Sequence, residues 1–244
     1  MSNLRFFSAE HLALGATIKL SDNAAAHATR VMRLIAGDTL TLFNGDGLDY
    51  NCELTLVKKN EVLAKVKSSL TINNESPLNI TLLQGISSGD RMDYTIQKAV
   101  ELGVKHIQPI ATERSVVKLS QERAEKRAAH WQNIVNSACE QSGRAYVPQV
   151  AAPQTLSLWL ANNPNNHNCR LLLNPVGAKR FAELDRPNGE IQLLIGAEGG
   201  LSAHEIETAS ANGFQSVILG ARILRTETAA LAAMASMHTL WGDF

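Results

Sequence analysis

Residues 191–233 read IQLLIGAEGGLSAHEIETASANGFQSVILGARILRTETAALAA, and one plan occurs in them twice. An apolar strand runs into a glycine-containing loop, and the loop runs into a helix. The first strand is 191–195 and its loop is 196–201. Ser202 can cap the helix that follows, and Glu205 three residues on completes a capping box. The second strand is 216–219, its loop is 220–225, and Thr226 is positioned to cap the last helix. Parallel strands would bring both loops to the carboxyl end of one sheet, where open α/β sheets bind ligands. Gly196, Gly199 and Gly200 lack Cβ, so their backbone can take positive φ or lie close to a ligand. Glu198, Arg222, Arg225, Thr226 and Glu227 crowd the same two loops, which is more polarity than two turns require.

The rest of the chain bounds the possibilities. Its 244 residues suit one large domain or two modest ones. Lys+Arg and Asp+Glu balance at 23 each, so any nucleic-acid contact must come from local patches. Cys52, Cys139 and Cys169 are far apart with no C-x-x-C, which argues against a disulfide framework or a zinc site. The seven histidines form no H-E-x-x-H, and no metal is expected. No early apolar run resembles a signal peptide, and none is long enough for a membrane span.

Residues 1–70 read mostly as short strands. Candidates are 5–7, 17–20, 39–43, 50–57 and 62–70. Ser21 or Asp22 can cap a helix over 24–34, and Asn44-Gly45-Asp46-Gly47 is a hairpin signal. Several strands with one helix suggest a small closed or partly closed barrel. Residues 71–78 are polar, hold a proline and form the best linker. Beyond them strands at 80–84, 106–110 and 170–173 alternate with helices at 90–102 and 121–142. That alternation implies a mainly parallel sheet with helices on both faces. The expected domains are 1–72 and 73–244.

G-A-E-G-G-L-S followed by L-G-A-R-I-L-R-T-E-T-A-A resembles the cofactor-binding signature of the SPOUT methyltransferases. Within them it is most similar to the bacterial 16S rRNA (uracil-N3)-methyltransferases. Ala197 and Ala221 stand where those enzymes usually carry proline. The segments A-H-A-T-R-V-M-R-L-I-A-G-D, Q-G-I-S-S-G-D-R-M-D-Y-T-I-Q-K-A-V-E-L-G-V, P-I-A-T-E-R-S-V-V-K and E-Q-S-G-R extend the resemblance from Ala26 to the end, in the family's order.

The resemblance implies a small PUA-like β-barrel that binds RNA, then a domain whose last segments form a trefoil knot. It implies S-adenosylmethionine as methyl donor, held by Leu173, Asn174 and Pro175, by Ile195, Gly196, Ala197, Gly199 and Gly200, and by Leu219, Gly220, Ile223 and Leu224. The acceptor would be N3 of a uridine in 16S rRNA or the small ribosomal subunit, the family's target being uridine 1498. By the same analogy the protein would be a cytoplasmic homodimer.

Neutral uracil N3 carries a proton, so transfer needs proton removal and stabilisation of charge on the flanking carbonyl oxygens. A guanidinium, always charged and planar, suits the second task. Arg225 is the first choice and Arg222 the second. Glu198 is a candidate base, or it orients an arginine or a backbone amide; Glu227 is a candidate for the first helical turn. Arg30 and Arg33, expected on one helix face, can hold phosphates, as can Arg91, Lys98, Arg114, Lys118 and Arg144. Three rival readings stand beside this one. The chain acts on another RNA position, or it is a non-catalytic RNA-binding assembly factor. Alternatively Gly85-Ile86-Ser87-Ser88-Gly89 is the G-x-S-x-G elbow of a serine hydrolase.

Overall fold

The computed structural model of the chain describes residues 4–59, 61–115, 121–165, 169–174, 176 and 179–244. Pro175 and Lys118 lie outside the described residues. The chain forms two compact units, Met1–Glu75 with Asn136–Val147, and Ser76–Val135 with Pro148–Phe244.

In the first unit, strands β1 (Arg5–Phe7) and β2 (Thr17–Lys19) precede a short helix α1 (Asp22–Ala26). Strands β3 (Thr39–Phe43), β4 (Leu48–Lys58) and β5 (Glu61–Thr71) follow, and the sheet order is β1-β3-β4-β5-β2. The Asn44–Gly47 turn joins β3 to β4, with positive φ at Gly45 and Gly47. Strand residues alternate between faces, and the inward set makes a single core. Phe6, Ile18, Leu40, Leu42, Leu54 and Val66 come from all five strands, and Ala24 and Ala28 pack against them. One core fed by every strand is the packing of a small barrel.

The expected 24–34 helix is shorter and of another kind. Ser21 caps α1, its side chain accepting from Ala24 N–H at 3.3 Å. The chain then widens into a π-turn over His27–Val31, with Met32 N–H bonded to His27 C=O at 3.0 Å. Arg33 follows at φ +58°, outside any helix. Arg30 and Arg33 therefore do not share a helix face, although both are exposed. A three-residue spacing puts side chains together only where 3.6-residue winding persists.

Arg144 corrects a second expectation. Its guanidinium is 4% exposed and grips Glu75 in two bonds, Nε–Oε1 at 2.9 Å and Nη2–Oε2 at 2.6 Å. It ties the 136–147 segment to the end of the first segment and is not a free phosphate contact. Burial pushes the Cys52 thiol up to about 11 and the Cys139 thiol to about 12, so both stay protonated.

In the second unit β6 (Asn79–Gly85), α2 (Asp90–Glu101), β7 (His106–Ala111) and α3 (Gln121–Ser142) come first, α3 from Asn136 onward belonging to the first unit. The short strands β8 (Gln149–Val150) and β9 (Gln154–Thr155) lead to α4 (Leu156–Asn162) and β10 (Cys169–Leu173). Then come β11 (Lys179–Arg180), β12 (Glu190–Ile195), α5 (Ala203–Ala211), β13 (Gln215–Ile218) and α6 (Thr226–Trp241). The strand order is β11-β13-β10-β12-β6-β7-β8, with β9 also on β7, and every pairing is parallel.

Leu172, Leu194 and Leu83 are neighbours across three strands and pack with Trp159 of α4 and Ala209 of α5. The alternate row, Leu171, Leu193 and Leu82, points to the other face. Helices α2 and α6 pack on each other, and α6 contacts β12. Among the described residues no helix is long and apolar enough to cross a membrane. Because all the strands run the same way, the loops that leave β6, β7, β10, β12 and β13 emerge at one edge.

The Arg144–Glu75 pair gives a stability prediction. Removing one partner of a buried ion pair typically costs about 3–5 kcal/mol. Arg144→Ala should lower the unfolding free energy by about that much in a denaturant titration. A loss below about 1 kcal/mol would mean that the pair is dispensable.

Candidate active site

A cavity of about 680 Å³ opens at that edge. Three loops build most of it. Leu173 and Asn174 follow β10; Ile195, Gly196, Ala197, Glu198, Gly199 and Gly200 end and follow β12; Leu219, Gly220, Arg222, Ile223, Leu224 and Arg225 follow β13. The described residues expected to hold the cofactor thus come together, as do the three expected to do chemistry. Glu227, in the first turn of α6, also lines the cavity.

The β12 loop is tight, and its glycines act differently from one another. Only Gly200 of the three has positive φ, at +68°. Gly200 N–H bonds Ala197 C=O at 2.9 Å and closes the turn. A Cβ on Gly196 would stand 2.7 Å from the Gly200 carbonyl carbon, so the two ends of the loop touch. A Cβ on Gly199 would stand 3.0 Å from Arg114 Cβ. Gly196 and Gly199 are therefore needed for close approach and not for an unusual φ. Gly85 at the end of β6 has the same use, because a Cβ there would run into the backbone of Gly196 and Ala197.

Side chains lock this packing. Glu198 Oε1 accepts from Ser88 N–H at 2.8 Å, from Ser88 Oγ at 2.8 Å and from Arg91 Nη1 at 3.0 Å. Burial pushes the Glu198 carboxyl up, but the bonds from Ser88 N–H, its own N–H, the Ser88 hydroxyl and Arg91 outweigh it and hold the carboxyl at about 2. A carboxylate with that pKa and three donors is suited to orienting Arg91 and the Ser88 loop, not to taking a proton at neutral pH. Arg114 Nη1 donates to Gly199 C=O at 3.3 Å. Glu205 closes the expected capping box on Ser202 and also accepts from Glu113 N–H at 3.0 Å. Ser115 Oγ donates to Ile86 C=O at 2.8 Å.

Arg91 and Arg114 thus stand at the cavity, within the loops that shape it. Lys98 lies outside the lining and pairs with Glu101 at 2.7 Å. Arg222 and Arg225 line the cavity, are exposed, and among the described residues show no ion pair or side-chain hydrogen bond. In particular, Arg225 pairs with neither Glu198 nor Glu227.

Two expectations change. Thr226 is not the cap of α6; Arg225 holds that position, with no side-chain cap bond. The Thr226 hydroxyl instead donates to Gly196 C=O at 2.6 Å and accepts from Gln84 Nε2 at 2.9 Å. The G-x-S-x-G segment is not a nucleophile elbow either. Ser87 is buried with its hydroxyl near Gly85 C=O, and no histidine lines the cavity among the described residues. The parts that sequence reasoning missed are Gln84, Gly85 and the Ser88–Arg91 turn. The Q-G-I-S-S-G-D-R segment was the available signal, but nothing in it said that it meets the 196–200 loop.

The family model of the RNA methyltransferase domain matches residues 74–238, and that of the RNA methyltransferase PUA domain matches residues 20–67. The chain thus carries an RNA methyltransferase domain and an RNA methyltransferase PUA domain. A ribosomal RNA small subunit methyltransferase E from Buchnera aphidicola is 32% identical over 98% of this chain and 94% of its own. A crystal structure of a ribosomal RNA small subunit methyltransferase E from Neisseria gonorrhoeae bound to S-adenosyl methionine is 47% identical, covers 99% of both chains and superposes with a TM-score of 0.91. A putative methyltransferase from Legionella pneumophila, in complex with the same cofactor, is 37% identical over the whole of both chains, with a TM-score of 0.94. The chain belongs to the family of the ribosomal RNA small subunit methyltransferases E.

The Glu198 clamp predicts a pH response. Its folded carboxyl titrates near 2, below the ordinary value of about 4.3, so its stabilisation is complete above the ordinary value. It is lost as pH falls from about 4 through about 2. The protection of the Ser88 amide, taken relative to its intrinsic exchange rate at each pH, should fall across that window. Glu198→Gln should show accelerated exchange already at neutral pH. Protection that is indifferent to both changes would contradict the clamp.

Proposed function

We propose that the chain transfers a methyl group from S-adenosylmethionine to N3 of a uridine in 16S rRNA, as free RNA or within the small ribosomal subunit. The observation that carries this reading is a cavity walled by the loops after β10, β12 and β13, with Arg222 and Arg225 on its lining and in no ion pair among the described residues. The cavity fits the cofactor. Its volume lies within the range of small-molecule sites, roughly 300–1,000 Å³. Leu173, Ile195, Val217, Leu219 and Leu224 give it apolar walls for an adenine. Gly200 and Gly220 have positive φ, and no atom stands within 4 Å of where their Cβ would be, so backbone there is open to a ligand.

When bound, the cofactor supplies an electrophilic methyl group. The protein's part is to hold the uracil and to manage its charge. Arg225, with Arg222 three residues before it, stabilises negative charge on the uracil carbonyl oxygens as N3 loses its proton. Glu198 is committed to Ser88 and Arg91. Glu227 is the other carboxylate of the lining; its Oε2 is buried, with no hydrogen-bond partner among the described residues, so a substrate proton would reach it through Oε1 or after a shift of the side chain. It is the proton acceptor in this reading.

RNA grip is assigned to Arg30 and Arg33 in the first unit; Arg91, Lys98 and Arg114 of the second are engaged with Glu198, Glu101 and the Gly199 carbonyl. Binding through phosphates weakens with salt, and the target base must leave its stack to reach the cavity. The reading includes the trefoil knot and a homodimer. In support of the first, the chain from β12 passes β10 to place β13 on its far side. In support of the second, Val176 and Ile223 line the cavity yet are 88% and 87% exposed, an apolar surface that a second copy would cover. The setting is the cytoplasm, where ribosomes are assembled.

The test is single-turnover methylation at saturating cofactor. Arg225→Ala should slow the step by roughly 10²–10³, the usual loss for one charge-stabilising donor, with cofactor affinity and melting temperature unchanged. Arg225→Lys should recover little, because an ammonium lacks the planar fork. Near-normal turnover in a folded Arg225→Ala protein would remove Arg225 from the mechanism.

A further inference from the structure

Thr226 occupies the first position of α6, where a side chain has no structural duty to the helix. It is nevertheless 7% exposed, and its hydroxyl is fully engaged. Oγ1 lies 2.6 Å from the Gly196 carbonyl oxygen and 2.9 Å from Gln84 Nε2. A carbonyl only accepts, so the one hydroxyl hydrogen goes to Gly196. Gln84 must then present its amide nitrogen to the hydroxyl. That nitrogen also donates to Gly85 C=O at 3.1 Å, so both amide hydrogens are used and the direction of the chain of bonds is fixed. Gln84 is completely buried, and its Oε1 has no hydrogen-bond partner among the described residues. The amide accepts an orphaned oxygen in order to keep its donor on Thr226.

We infer that Gln84, Thr226 and the Gly196 carbonyl form a one-way hydrogen-bond relay that sets the cofactor loop and Arg225 in register, which makes Thr226 a positioning residue for methyl transfer. This rests on the reading of the cavity given under Proposed function. The relay joins the ends of β6 and β12 to the start of α6. Arg225 precedes Thr226 directly and is held only through its backbone, its C=O accepting from Ala229 N–H at 2.8 Å. Fixing Thr226 therefore fixes the point from which the Arg225 side chain projects. At the other end Gly196 is pressed against Gly200, so a shift of Gly196 moves the whole turn that lines the cavity.

The experiment compares Thr226→Val, which keeps the shape and removes the hydroxyl, with Thr226→Ser, which keeps the hydroxyl and removes the methyl. Cofactor affinity is read by calorimetry, turnover by single-turnover methylation at saturating cofactor, and folding by the melting temperature. Thr226→Val should weaken cofactor binding about tenfold, the scale of a lost buried hydrogen bond. Its turnover at saturation should fall a further tenfold or more, a loss that weaker cofactor binding does not explain once the site is filled. Thr226→Ser should stay within about twofold of the parent in both. Gln84→Met should move both quantities in the same direction, and the double variant Gln84→Met/Thr226→Val should lose less than the sum of the two. A folded Thr226→Val protein with unchanged affinity and turnover would overturn the relay, as would a Thr226→Ser protein as impaired as Thr226→Val. A parent protein that binds no S-adenosylmethionine would instead sink the reading of the cavity itself.

Discussion

The site depends on one close approach, that of the end of β6 to the loop after β12. Gly85 has no side chain, and the backbone of Gly196 and Ala197 lies where a Cβ would be. Two sets of bonds at the cavity follow from that contact. It brings the Ser88–Arg91 turn within reach of Glu198 and Gln84 within reach of Thr226. Parallel pairing of β6 with β12 makes the approach possible, because both strands end at the same edge in register, Leu83 opposite Leu194 and Gln84 opposite Ile195. The hydrogen bonds then hold a geometry that the missing side chain permits.

The electrostatics of the cavity divide its arginines into two kinds. Arg91 and Glu198 neutralise each other within a structural turn, and Arg114 is spent on Gly199 C=O. Arg222 and Arg225 carry charge that no acidic side chain offsets among the described residues. A balanced chain can therefore still present localised positive charge where an electron-rich base would be turned. Exposed guanidinium groups without an acidic partner keep their charge and their donors available to a ligand.

Much of this was legible in the sequence, for physical reasons. The two strand–loop–helix repeats were readable because a buried parallel strand is a short apolar run and a capping box has a fixed spacing, as Ser202 and Glu205 demonstrate. The parallel α/β sheet followed from the alternation of elements. What could not be read were contacts between segments far apart in the chain. Thr226 looked like a cap because threonine before a helix usually is one, and its partner Gln84 lies 142 residues away. Gly199 was expected to take positive φ or to lie close to a ligand; its φ is not positive, and a Cβ on it would meet Arg114. The helix expected over 24–34 failed because the π-turn at His27–Val31 leaves no mark in the hydrophobic period. Asn136–Val147 cluster with the N-terminal unit through Arg144 and Glu75, a pairing that no local pattern announces.

The central claim is that these loops form a site for methyl transfer to uracil N3 in small-subunit rRNA. It is tested most directly by incubating the purified protein with isotope-labelled S-adenosylmethionine and with 16S rRNA, free or within small subunits, from cells lacking the enzyme, followed by nucleoside mass spectrometry. The account predicts label in N3-methyluridine and in no other nucleoside. Label in a ribose-methylated nucleoside, or no label with either substrate, would contradict it.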